Sequence, residues 1–232
     1  MLDPKGAISD TDMKFFPDGR RRPFAGNTVI CHLPQQCMFR DAVTALGDEL
    51  RSSSIAYKLG ILPAESYHMT IFPGANDQGR SISGWPSDIP MDASLTECNK
   101  IIGERMAHFR LMCAMPLRVT LDTQRTVESK RACSLRMAPV DEAENKKLRT
   151  LRDRLAEVYH FRVKDHASYG FHITVSYQMK PFTPEEQAIY DNILRKNITK
   201  ISAAAPVLEL GLPTYCTFED MYRFEIRKLL NS

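Results

Sequence analysis

The chain has 232 residues, 43% hydrophobic and 25% charged, which suits one large domain or two fused lobes around a sizeable core and excludes a disordered chain. A net charge of +3 permits an anionic substrate without requiring one. The six cysteines (Cys31, Cys37, Cys98, Cys113, Cys133, Cys216) show no C-x-x-C pair and no metal-ligand spacing with the histidines, so they read as reduced thiols. Charged Asp3, Lys5, Asp10, Asp12 and Lys14 interrupt the segment where a secretory signal would need an apolar run, and no apolar run has the length of a membrane span. The expectation is a cytoplasmic protein with no membrane association.

The first predicted strand follows a leader, residues 1–27, that is rich in Pro, Gly and Arg. TVICHL, residues 28–33, is β-branched and is ended by Pro34. Over about residues 36–51, Phe39, Val43, Leu46 and Leu50 recur on one stripe of an amphipathic helix. The strand YHMTI, residues 67–71, comes next, followed by a Gly- and Pro-bearing loop over residues 73–90. Ser94 and Glu97 form a capping pair for a helix that carries Leu95, Cys98, Ile102, Met106 and Phe109 on one face, and Pro116 closes this region.

The order then repeats. A strand near residues 132–140 precedes a helix over about residues 142–159, capped by Asp141 with Glu144, whose buried stripe is Leu148, Leu151, Leu155 and Val158. Its Lys146, Lys147, Arg149, Arg152 and Arg154 read as the wet face. FHITV, residues 171–175, is the next strand. Thr183, Pro184 and Glu186 mark a further helix start, and apolar strands near residues 207–212 and 222–229 end the sequence.

Shifting the first half by the separation of His68 and His172 lays residues 28–33 on 132–137, and the first long helix on the third. Shared order as well as shared motif points to two related lobes, about 28–122 and 131–229. On each motif strand alternate residues share a face, so His68 and Thr70 point one way, away from Tyr67, Met69 and Ile71. His172 and Thr174 do the same against Phe171, Ile173 and Val175. If a pseudo-two-fold axis relates the lobes, two imidazoles and two hydroxyls look into one cleft. A phosphodiester held there suits in-line displacement. One neutral His takes a proton from water, the other gives one to the leaving oxygen, and the threonines hydrogen-bond the non-bridging oxygens.

A single H-x-T would be weak, because a chain with six histidines supplies such a triplet by accident. His166-Ala167-Ser168 is that accident, in a turn-like stretch without alternation. His32, His108 and His160 read as structural or exposed, and Arg20–Arg22 as a solvated loop. Strand parity puts Phe72 and Ser176 on the same faces as the histidines, as candidate substrate contacts, with Phe72 suited to stacking on a base. Tyr215 is a further candidate. A metal site built on the histidines lacks nearby Asp, Glu or Cys ligands on either motif strand. A binding module that holds RNA ends or nucleotides without cleaving them remains open.

Paired H-x-T motifs on duplicated units resemble the two-histidine (2H) phosphoesterase superfamily, which includes the LigT-like RNA 2′,3′-cyclic phosphodiesterases. The resemblance runs from about residue 28 to 229. The segments KFFPDGRRRPFAGNTVICHL and TYCTFEDMYRF are similar to a branch of it that is a domain of unknown function. The resemblance implies an α+β fold of two pseudo-symmetric lobes, each a mostly antiparallel sheet with outer helices, and a central cleft. It implies His68, Thr70, His172 and Thr174 as the catalytic set. The activity it implies is hydrolysis of a cyclic phosphodiester on an RNA end or a small nucleotide, without metal, cofactor or obligate protein partner.

Overall fold

The computed structural model describes residues 10–129 and 133–231. In chain order its elements are α1 (Asp10–Lys14), β1 (Gly26–His32), α2 (Met38–Arg51), β2 (Leu59–Ile61), β3 (His68–Asn76), α3 (Leu95–His108), β4 (Leu117–Leu121), α4 (Thr123–Val127), β5 (Ser134–Pro139), α5 (Glu142–Tyr159), β6 (His172–Thr174), β7 (Ser176–Gln178), α6 (Pro184–Ala204), β8 (Leu208–Leu210), β9 (Thr214–Asp220) and β10 (Arg223–Leu229). Ala132, expected in the strand that became β5, lies outside the described residues.

Helix starts fall where side-chain acceptors stand ready for the first free amides. Ser94 accepts from the Glu97 amide, Asp141 from the Glu144 amide, and Thr183 and Glu186 form a reciprocal capping box. Cys37 caps α2 through its sulfur. In α5 the apolar stripe is wider than its leucines suggest. Arg152, expected on the wet face, is fully buried, because it stands four residues after Leu148 and three before Leu155, on the side turned toward the sheet.

Among the described residues, eight of the ten strands form one antiparallel sheet in the order β10-β9-β1-β3-β6-β5-β4-β8, and β2 pairs with β7 in a second. The two motif strands are neighbours at the middle of the large sheet, where Met69 lies opposite Ile173. α3 packs on the half that carries β1, β3, β9 and β10, α5 packs on β3, β4 and β5, and α2 pairs with α6. Met69, Ile71 and Ile173 are fully buried. Each such side chain contributes about 1.5–3 kcal/mol and anchors its strand by the side turned away from the imidazoles.

The expected lobe boundary does not divide the sheet. β4 comes from the first half of the sequence but pairs with β5 and β8 in the half that carries His172. β9 and β10, at the far end of the sequence, complete the half that carries His68. Hydrophobic periodicity reports which face a strand buries and says nothing about which edge it joins, so this exchange is a correction that only the pairing supplies. β6 is also short. After Thr174 the Val175 and Ser176 amides both turn to the Cys133 carbonyl, at 2.8 and 3.3 Å, and the chain leaves the large sheet to pair β7 with β2. Among the described residues no helix is long and apolar enough to cross a membrane.

Candidate active site

Alternation on the central strands does what the residue types dictate. His68 and Thr70 on β3, and His172 and Thr174 on β6, are half-buried, while the residues between them are fully buried. The antiparallel register through Met69 and Ile173 sets His68 opposite Thr174 and Thr70 opposite His172. Directly opposed residues hold their Cβ atoms about 5 Å apart and diagonal neighbours about 7–8 Å. The imidazoles therefore occupy one diagonal of a four-residue square and the threonines the other, which leaves room for a phosphate between the rings. All four line a single cavity of about 410 Å³.

Both rings are oriented alike. His68 Nδ1 lies 2.6 Å from the Ser66 carbonyl, and His172 Nδ1 lies 3.0 Å from the Gly170 carbonyl. A carbonyl only accepts, so each Nδ1 carries the proton, and in the neutral ring Nε2 is then the basic nitrogen. The repeat thus extends to the backbone acceptor two residues before each histidine.

Burial pushes His68 down to about 4, against the opposing hydrogen bond to Ser66 and with further lowering from His32, His172 and Lys14. His68 is a neutral imidazole at pH 7. Lys14 enters from the leader, 3.2 Å from the Tyr177 hydroxyl and over the Phe24 and Tyr177 rings, and lines the cavity with them. Tyr169 forms another wall. Burial pushes its phenol up to about 12 despite Arg152 and a hydrogen bond with Thr70, so it stays protonated. The Arg152 guanidinium stacks 3.9 Å from the Tyr169 ring centre and donates to the Ile71 carbonyl at 2.5 Å, bracing the wall and the strand beside Thr70.

Beyond His68 the cavity is aromatic. The Phe224 ring meets His68 edge-on at 4.3 Å between centres, Phe218 lies 5.1 Å from Phe224, and Phe24 stacks on Phe218 at 6.3 Å. None of these, nor Lys14, Tyr169 or Tyr177, was singled out by motif and parity. Lys14, Phe24, Phe218 and Phe224 lie in the two segments, residues 14–33 and 214–224, that carry the resemblance to the branch of unknown function, whereas Tyr169 and Tyr177 lie in neither.

The three expected substrate contacts are placed elsewhere. Phe72 is fully buried against Tyr159, Phe161 and His166. The cause is a bulge. Ile30 pairs with Thr70 but Val29 pairs with Phe72, so Ile71 is an extra residue and parity reverses after it. Pro73 takes the cleft position instead. Ser176 is buried because the chain has already crossed to the second sheet, and its hydroxyl meets no partner among the described residues. Tyr215 is buried on the other face of β9, donating to the Asn99 carbonyl of α3 at 3.2 Å.

His166 binds Asp153 at 3.0 Å, and His160 caps α5 in a left-handed conformation 3.0 Å from Asp88. His32 stands opposite His68 on β1. Among the described residues no group of three or more His, Cys, Asp or Glu could hold a metal ion.

A family model described as "2H-phosphodiest: Domain of unknown function (DUF1868)" matches residues 14–130, which include the leader from Lys14 onward and the first motif but not the second. The chain is similar to a crystal structure of a conserved protein of unknown function from Agrobacterium tumefaciens, at 27% identity and a TM-score of 0.82 over 94% of this chain and 90% of that one. No curated protein matches it.

Proposed function

Because the chain belongs to the 2H-phosphodiest family, a domain of unknown function, we propose that it hydrolyses a phosphodiester, a 2′,3′-cyclic phosphate on RNA or a nucleotide, by proton transfer between His68 and His172. The observation that carries this is the square of two imidazoles and two hydroxyls lining one cavity, each ring held at Nδ1 by a carbonyl. His68, neutral at pH 7, takes the proton of the attacking water at Nε2. His172, entering protonated, gives its Nε2 proton to the leaving ribose oxygen. The P–O bond to that oxygen breaks as the bond to water oxygen forms, and the ring protons exchange with solvent before the next turnover.

Thr70 and Thr174 donate to the non-bridging oxygens, where charge develops, and protonated Tyr169 borders the same space. Since a proton neutralises the leaving group, the scheme requires no metal. The aromatic series Phe24, Phe218 and Phe224 gives a base an apolar surface to lie on.

The test is a panel of cyclic nucleotides and cyclic-phosphate-ended oligonucleotides assayed with a chelator present. Turnover that persists in chelator and vanishes in His68→Ala supports the proposal. Tight binding without turnover in the wild type would replace it with a non-catalytic nucleotide-binding module.

A further inference from the structure

Resting on the phosphodiesterase reading above, we propose that the cleft continues past His172 into a second chamber that receives a further phosphate of the same substrate. A cavity of about 460 Å³ lies there, and it shares Tyr169 and His172 with the first, so the two meet at the reacting ring. Arg136 is opposite His172 in the β5–β6 pairing, hence on the same face, with Cβ atoms about 5 Å apart. Its guanidinium donates to the Ser129 hydroxyl at 3.2 Å. Arg125 reaches in from α4. Its Nη2 lies 3.7 Å from where a Cβ on Gly170 would stand, against the residue whose carbonyl fixes His172.

The two arginines share the chamber with exposed Glu128 and Asp165, and Glu128 is engaged by Gln124 at 2.9 Å. Among the described residues that line the chamber the formal charges balance. Recognition there rests on the guanidinium groups of Arg125 and Arg136, which line the same cavity and supply the donor chemistry that suits a phosphate group.

The duplicated frame sharpens this. The position of Arg136 beside His172 corresponds to that of His32 beside His68, so the guanidinium occurs on one side only. The aromatic surface lies on the other side, against His68. The substrate thus has polarity: a base toward Phe224, the cleaved phosphodiester at the centre, and a second phosphate toward Arg125 and Arg136. That phosphate comes either from a neighbouring nucleotide of an oligonucleotide or from a terminal phosphate on a single nucleotide.

Binding to the His68→Ala protein, measured calorimetrically at moderate salt, separates these cases. The probes are adenosine 2′,3′-cyclic phosphate, the same nucleotide bearing a 5′-phosphate, and a dinucleotide ending in the cyclic phosphate. At least one probe with a second phosphate should bind about 10-fold tighter or more than the first, the scale of a hydrogen-bonded charged contact. Which of the two gains identifies the source. In Arg125→Ala, and more strongly in Arg125→Glu, that ratio should fall toward one. Equal affinity for all three probes, or a ratio unchanged by both substitutions, overturns the second chamber while leaving cyclic-phosphate binding intact. No binding of any probe overturns both proposals.

Discussion

The proposed mechanism rests on two imidazole rings. Their Nδ1 contacts to Ser66 and Gly170 set the tautomer, so replacing either histidine by Asn should lower kcat by about 10²–10⁴-fold with an unchanged circular dichroism spectrum. Thr70→Val or Thr174→Val should cost about 10²-fold, the usual scale for one donor to a developing oxyanion. The pH profile of kcat/KM carries a sign. A base must be neutral, so activity should be lost as pH falls through the depressed value of His68, about 4, which sets the acid limb. Burial, His32, His172 and Lys14 all push that value down. Removing one like charge in Lys14→Met should move the acid limb upward, toward 6.5, and an unmoved limb would show that Lys14 does not sense the ring.

Among the elements, β3 teaches most about what a sequence reveals. Its buried Met69 and Ile71, with His68 and Thr70 between and before them, are legible from alternation alone. The inserted residue at Ile71 is not, because a bulge is a relation between two strands and leaves no mark on one. Phe72 consequently belongs to the core, and Phe72→Ala should lower unfolding free energy in denaturant by about 3–5 kcal/mol. Gly74, two residues on, has no space for a side chain. A Cβ there would stand 2.1 Å from Asn27 Oδ1 and 2.4 Å from the Asn27 carbonyl, so Gly74→Ala should force β1 and β3 apart and lower the thermal midpoint. The caps of α3, α5 and α6 were readable because their acceptors are local in sequence. The leader was not, since Lys14 and Phe24 gain meaning only from Tyr177 and Phe218, far along the chain.

At the scale of the whole molecule, the exchange of strands between halves makes each motif depend on residues remote in sequence. A chain ending after residue 212 loses β9 and β10, bares the edge of β1, and strips Phe218, Met221 and Phe224 from the cleft. It should show no sharp calorimetric transition. The seam between β3 and β6 runs through the middle of the sheet rather than between separable bodies. Because His68 and His172 stand on paired strands of one sheet, their spacing persists as long as that pairing does. On the proposed reading, discrimination among ligands falls to the rim, which the leader, the terminal hairpin and α4 supply. In hydrogen exchange, the Met69 and Ile173 amides should share one high protection factor, with faster exchange confined to that rim.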